Sequence, residues 1–266
     1  MKTRTAGILL LLGSLAALAM RRVDAVSGSS VSHPEPWNKL AAARYLDDRE
    51  VWWQAWPRAQ KDHGTICISC HTVVPYAMSR PGLRSELGET AMTAPEQTML
   101  ASVEKRVSQW PEMAPFYSDS KYGPGKTAEA HATEAVLNAV ILAAVDARGA
   151  HVRPITRTAF DHAWALQEET GEKAGGWKWQ NFDLGPWESS ESAYQGAALL
   201  LVEATNLPDG FAKERATRKH LDRLTDYLCR NYSAQPLVNQ LYMLWASAKE
   251  PRLLTKAQRK ALLLAV

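Results

Sequence analysis

Cysteine is scarce in this chain. Only three of the 266 residues are cysteines, and two of them, Cys67 and Cys70, stand in one five-residue stretch. No second Cys-x-x-Cys pair and no His-x₃₋₅-His pair follows, so the four regularly spaced ligands of a structural zinc site are missing. No βαβ pattern surrounds the pair, although a thioredoxin-like redox site requires one. These absences leave covalent attachment of a group to both thiols as the interpretation to develop.

An excess of charge is also missing once the N-terminus is set aside. The chain has 31 basic and 28 acidic residues, and four of the basic and one of the acidic residues precede residue 26. The remainder therefore carries 27 charges of each sign. Although the sequence pI is ≈ 8.7, a neutral remainder gives no electrostatic reason to expect a nucleic acid as partner.

The first 25 residues are typical of a secretory signal peptide. A basic start at residues 1–4 precedes an apolar run over 6–20, and small residues then suit cleavage after Ala25. The run is too short for a comfortable membrane span. An uncleaved anchor is the alternative, because Arg21 and Arg22 follow the run, and it would hold the protein near a membrane. The sequence predicts export, with a periplasmic location.

Residues 67–71 read Cys-Ile-Ser-Cys-His, the attachment pattern of a c-type haem. Two thiols at this spacing can each add to one vinyl group of a porphyrin, and His71 can then ligate the iron. Export agrees with this prediction, because bacterial haem attachment takes place outside the cytoplasmic membrane. We predict haem c anchored by Cys67 and Cys70, with His71 as an iron ligand and a redox protein as partner.

The sixth iron ligand is predicted in the irregular loop at residues 110–116. Met113 lies there beside prolines and before a long helix, a placement that resembles the distal loop of small c-type cytochromes. A thioether ligand raises the potential of an electron-transfer haem. His63 is the alternative and would give two histidine ligands. Arg80 and Arg84 follow the motif closely and are candidates to pair with haem propionates.

Helical periodicity dominates the chain, and no long alternating strand pattern is present. We predict a helix over 37–56, with Trp52, Trp53 and Trp56 as candidate walls of a haem pocket. Pro75 and Pro81 predict a loop or short turns after the motif. A capping box at Thr93 predicts a helix over 94–109.

The second half is predicted to be a row of helices near 127–148, 155–170, 189–205, 211–230, 234–248 and 255–266. Those starting near 127, 189 and 234 are rich in small apolar residues, and those between them are more amphipathic. An alternation of buried and amphipathic helices is what an α/α barrel or solenoid requires.

Residues 166–179, Leu-Gln-Glu-Glu-Thr-Gly-Glu-Lys-Ala-Gly-Gly-Trp-Lys-Trp, resemble one degenerate Gln-Trp repeat of the squalene–hopene cyclase and prenyltransferase-like proteins. The run Cys67–Tyr76 is similar to one found beside such toroids in exported bacterial proteins. The resemblance implies an all-α fold, a partial α/α toroid preceded by a small helical c-type haem segment. It does not imply terpene cyclase activity, because the chain lacks an Asp-x-Asp-Asp run and has about half the length. About seven helices would make only part of a twelve-helix barrel, so we expect either an open ring or a chain that ends early.

We therefore divide the chain into a signal peptide (1–25), a flexible lead-in (26–36), a haem-binding region (37–125) and a toroid-like region (126–266). The helix at 94–109 fits either of the last two regions. The expected function is one-electron transfer. The alternatives are a haem-assisted enzyme or binding protein for an apolar or polymeric substrate, with Glu188 and Glu191 as acidic candidates, and a gas- or redox-sensing scaffold.

Overall fold

Helices account for nearly all the regular structure of residues 37–265, which are the residues described by this computed structural model. The helices are α1 (Lys39–Ala55), α2 (Val73–Glu86), α3 (Ala94–Ser108), α4 (Asp119–Tyr122), α5 (Lys126–Asp146), α6 (Pro154–Ala165), α7 (Ser192–Asn206), α8 (Arg215–Asn231), α9 (Leu237–Ser247) and α10 (Lys256–Leu264). Two short antiparallel strands, β1 (Gln60–Lys61) and β2 (Thr65–Ile66), form one hairpin. The predicted all-α class is confirmed. The predicted signal peptide and lead-in lie outside the described residues.

The capping box predicted at Thr93 is present. The Thr93 N–H donates to the Glu96 carboxylate at 2.9 Å, and α3 begins at the next residue and ends one residue before the predicted end. Helix α1 also agrees with its prediction, since it stops two residues before Pro57.

The prediction of loop or short turns after the motif is wrong. Helix α2 runs through both Pro75 and Pro81. Pro75 occupies the first turn, where a backbone N–H has no intrahelical acceptor to lose. Pro81 does interrupt the ladder, but the buried face around Tyr76 and Ala77 packs against α1 and α5. This packing outweighs the local cost.

Helices α5 and α7 form the centre of the core. Residues 130–144 of α5 are buried with the exception of His131, and so are residues 192–204 of α7. Helix α5 is long and apolar enough to cross a membrane by length and composition, but 78% of its apolar 18-residue stretch is buried inside the protein. Such burial is that of a core helix.

Helix α6 ends five residues earlier than the periodicity predicts. After it, Gln167 Nε2 donates to the Gly175 carbonyl at 2.9 Å, and the buried Trp177 donates to the Ala163 carbonyl at 2.7 Å. Gly175 has φ 92°, and a Cβ there would lie 2.2 Å from the Arg223 carbonyl oxygen. Gln167 and Trp177 of the repeat-like stretch therefore hold the loop after α6 against the end of that helix by hydrogen bonds.

Residues Lys39–Val266 form one compact unit, with no division at residue 125. Helix α2 packs on α5, and α3 packs on α5 and α6. The stretch that carries the Cys-x-x-Cys-His motif thus shares its core with the helices of the second half.

Candidate haem-attachment site

A tight hairpin fixes the position of Cys67. The turn between β1 and β2 uses left-handed backbone at His63 and Gly64, with φ of 54° and 67°. Cys67 follows β2 directly, and its N–H donates to the Ala59 carbonyl at 2.7 Å. Backbone pairing therefore holds this cysteine in place independently of its thiol.

Ser69 organises the second half of the motif. Its hydroxyl oxygen accepts hydrogen bonds from the N–H groups of His71 at 3.3 Å and Thr72 at 3.1 Å. Its carbonyl accepts the N–H of Val74 at 3.1 Å. Such short-range bonds from serine favour a turn over helix or strand. Cys70 and His71 consequently lie in the turn that leads into α2.

Two indole rings flank the imidazole of His71. Trp53, which is buried on α1, lies 5.9 Å from the His71 ring in an edge-on arrangement, and Trp187 lies 5.6 Å away. The Trp53 Nε1–H also donates to the Cys67 carbonyl at 2.8 Å. One tryptophan thus contacts both ends of the motif, and a second reaches it from the loop before α7.

Both motif cysteines are free thiols, and the residues are only partly exposed. Burial raises the pKa of Cys67 and of Cys70 to about 12, and the nearby Glu188 carboxylate adds to the rise at Cys70. Both groups are therefore protonated at neutral pH. A reactive redox pair or a thiolate metal site needs a lowered pKa instead.

His71 as a whole residue is exposed, but partial desolvation of its ring lowers the pKa of the imidazole, which is therefore neutral at neutral pH. Its Nδ1 lies 3.3 Å from the Thr72 hydroxyl. When Nδ1 donates to that oxygen, Nε2 keeps its lone pair. A neutral imidazole with one nitrogen occupied in this way is the usual state of a metal-ligating histidine.

Two cavities border the motif. A small cavity of ≈ 60 Å³, called the inner cavity, is lined by Cys67, Cys70 and His71. A larger cleft of ≈ 690 Å³, called the outer cleft, is also lined by Cys67. Trp53 and Tyr117 border both. The outer cleft falls within the range of about 300–1,000 Å³ typical of small-molecule sites.

The outer cleft is positively charged. Three of its ten lining side chains, Arg58, Lys61 and Lys121, are cationic, and none is acidic. Lys61 Nζ lies 5.7 Å from the centre of the Tyr117 ring at the border with the inner cavity. An anionic group would be favoured in this cleft.

The inner cavity contains polar side chains that sequence reasoning did not assign to the motif. Gln180 is 3% exposed, and neither polar atom of its amide has a hydrogen-bond partner. Glu188, the acidic candidate for a toroid cavity, lines this cavity, and burial raises its pKa. Glu134 lines it as well, paired with Arg106. Buried groups without partners are rare, so the cavity around Gln180 offers bonding that its own residues do not satisfy.

Met113 lies outside the lining of both cavities. It is buried at 5% exposure. The loop that carries it does reach the site, but through Phe116 and Tyr117. His63 lies exposed in the hairpin turn and also lines neither cavity. No sequence pattern points to the two aromatic residues, since an irregular loop has no periodicity.

Arg80 and Arg84 have structural partners instead of facing the motif cavities. Arg80 pairs with Asp47 at 2.9 Å and with Glu89 at 2.8 Å, and Arg84 pairs with Glu96. These pairs tie α2 to α1 and α3. The cations that line the site come from the hairpin and from α4.

No group of three or more His, Cys, Asp or Glu side chains arranged to hold a metal ion occurs within residues 37–265. Comparison of the chain with protein-family models, with curated proteins and with solved structures finds no match in any of the three.

Proposed function

We propose that the protein is an exported c-type haem protein that transfers single electrons. The observation that carries the proposal is that Cys67, Cys70 and His71 line one cavity in a turn whose backbone is already fixed. Protonated thiols and a neutral imidazole are the forms expected for thioether formation and for iron ligation.

The side chains around the motif are of the chemical types that could bind a porphyrin. The amide of Gln180 lacks partners inside the cavity, which favours a bound polar group there. The inner cavity alone is too small, so a porphyrin bonded to both cysteines also needs the outer cleft. Trp53, Cys67 and Tyr117 line both volumes, so a porphyrin that spans them would pass beside these side chains.

Each part of the group has a residue of this chain to hold it. Cys67 and Cys70 would supply the thioether anchors, and His71 would ligate the iron. Lys61 and Lys121 line the outer cleft and would offset the negative charge of the propionates. When bound, haem would supply a reversible one-electron change at iron, and these side chains would set its position.

We further propose that the second half of the chain is part of an α/α toroid. The buried helices α5 and α7 alternate along the chain with α6 and α8, which bury one face each. That alternation supports inner and outer layers of a ring. The loop between α6 and α7 contributes Gln180 and Glu188 to the cavity, so the toroid-like helices help to build the site.

Location and partners follow from the same proposal. The segment 1–25 would direct export, cleaved or retained as an anchor near the membrane. The partner would be a redox protein, and the neutral charge after residue 25 gives no reason to propose a nucleic acid.

A second candidate function is gas or redox sensing by a haem with an open sixth position. The side chains lining both cavities include no methionine and no histidine besides His71. An open position favours ligand binding or catalysis over simple electron transfer. Addition of carbon monoxide to the reduced protein separates the two: a shifted Soret band supports sensing, and an unchanged band supports a filled sixth position.

Expression together with a haem-maturation system tests the main proposal. The protein should keep its haem through acid and organic extraction, and its intact mass should exceed that of the polypeptide by one haem. Cys70→Ser should retain at most one thioether bond, whereas Cys229→Ser, at an exposed cysteine outside the motif, should attach haem normally. Complete extraction of colour from the wild-type protein would refute covalent attachment.

A further inference from the structure

We propose that electrons enter or leave through three tryptophans on α1 and just after it, and that an acidic one-electron carrier protein docks on the exposed face of α1. This inference rests on the proposed haem function. It adds the route that electrons take, the surface on which the partner docks and the charge of that partner.

The tryptophans form a continuous chain of ring contacts that starts at the motif. Trp53 touches His71 and hydrogen-bonds to the Cys67 carbonyl. Trp56 lies 5.3 Å from Trp53, and Trp52 stacks on Trp56 at 5.5 Å with an interplanar angle of 18°. All these separations lie within the range of direct aromatic contact, about 4.5–7 Å. Because electron tunnelling weakens steeply with distance through empty space, contacting rings give a favoured path.

The chain ends at the protein surface. Trp53 is 6% exposed, Trp56 is partly buried and Trp52 is 46% exposed. The Arg49 guanidinium lies over the Trp52 ring at 4.5 Å, which holds the ring in one orientation. A large exposed aromatic ring fixed by a cation is the kind of residue that anchors protein interfaces.

The charges around this end select the partner. Four charged residues are exposed among residues 44–61. Three are positive, Arg44, Arg49 and Arg58, and one is negative, Asp48. A net positive rim attracts a protein whose surface is acidic around its redox centre, and it speeds their encounter at low salt. Contact at Trp52 would allow one electron to pass between the carrier and the haem iron. The centre that loses the electron is oxidised, the other is reduced, and no bond is broken.

A flavodoxin, which is acidic and gives one electron per step from its flavin hydroquinone, serves as the probe. Haem-loaded wild-type protein is compared with Trp52→Ala, Trp52→Phe, Arg49→Glu and Trp245→Ala. The last is the matched control, because Trp245 is 44% exposed and lies on α9. Two quantities are measured for each: the Kd of the complex by titration calorimetry, and the limiting electron-transfer rate by stopped flow. Spectra and potentials confirm that every variant keeps the same haem.

Trp52→Ala should weaken binding about tenfold, the scale on which removal of an interface tryptophan acts, and it should lower the limiting electron-transfer rate below that of Trp245→Ala. Trp52→Phe should restore most of that rate because it keeps an aromatic ring. Arg49→Glu should weaken binding about tenfold at low salt and much less at high salt.

Equal rates for the Trp52→Ala and Trp245→Ala variants would overturn the route, and an unchanged Kd for Arg49→Glu would overturn the docking surface. Both outcomes leave the haem proposal standing. A wild-type protein without covalent haem overturns the proposed function and this inference together, and its spectrum shows that before any partner is added.

Discussion

Replacement of Arg106 by methionine should unfold the protein at a much lower temperature. The Arg106 side chain on α3 is fully buried and donates five hydrogen bonds. Its acceptors are Asp62 and Thr65 of the hairpin, Glu134 of α5 and the Ala114 carbonyl. One guanidinium thus joins the hairpin that precedes the motif to the core helix and to the loop that lines the cavity.

The magnitude follows from the burial of both partners. The Glu134 side chain is 1% exposed, so without Arg106 it is left as a buried charge with no counterion. Loss of one partner of a buried pair costs about 3–5 kcal/mol. At about 2–4 °C per kcal/mol for a protein of this size, the melting temperature should fall by about 10 °C.

Urea and thermal unfolding, followed by circular dichroism, measure the loss. Arg218→Met is the matched control, because Arg218 pairs with Asp222 on the exposed surface of α8, where such pairs contribute about 0.5 kcal/mol or less. The double variant Arg106→Met with Glu134→Leu should recover part of the loss, because the unpaired charge is removed. A loss below about 1 kcal/mol for Arg106→Met would refute the reasoning.

Three further outcomes are expected. Gly196→Ala should destabilise the protein by about 1–3 kcal/mol through overpacking, because a Cβ there would lie 2.1 Å from the Trp179 ring. Gly82→Ala is the control, because Gly82 also lies in a helix and a Cβ there meets only a flexible side chain at 3.3 Å. Chemical denaturation compares the stability of the two variants. Burial raises the pKa of Glu203 from 4.5 to about 7. Its folded state therefore holds the proton more tightly, and stability should fall by about 3 kcal/mol as pH rises through that window. Urea unfolding at pH 5 and pH 8 should show this fall reduced in Glu203→Gln, and an equal fall in both proteins would contradict the assignment. Met113→Ala should remove the weak red sulfur-to-iron band of the oxidised haem protein if Met113 is the sixth ligand, and an unchanged spectrum would exclude it.

Much of the helical fold was predictable because its signals are local. The capping box at Thr93 and the stop before Pro57 depend on backbone hydrogen bonds between near neighbours, and both are present. The apolar stretch of α5 predicts a helix buried on most sides, and packing of this helix against α6 and α7 agrees. The local rule against proline in a helix failed in α2 for two different reasons. Pro75 lies in the first turn, where no intrahelical hydrogen bond is lost, and at Pro81 the burial of the α2 face outweighs that loss.

The sequence by itself determined the chemistry of the motif, since the spacing of Cys67, Cys70 and His71 is a property of five consecutive residues. Tertiary structure decided what surrounds them. Gln180 and Glu188 stand more than 100 positions further along the chain, and only the packing of the loop before α7 against α5 brings them to the cysteines. Side-chain burial depends on contacts between distant segments of the chain. Residue spacing alone therefore could not predict the raised thiol pKa values, the amide of Gln180 without hydrogen-bond partners, or the exposed end of the tryptophan chain.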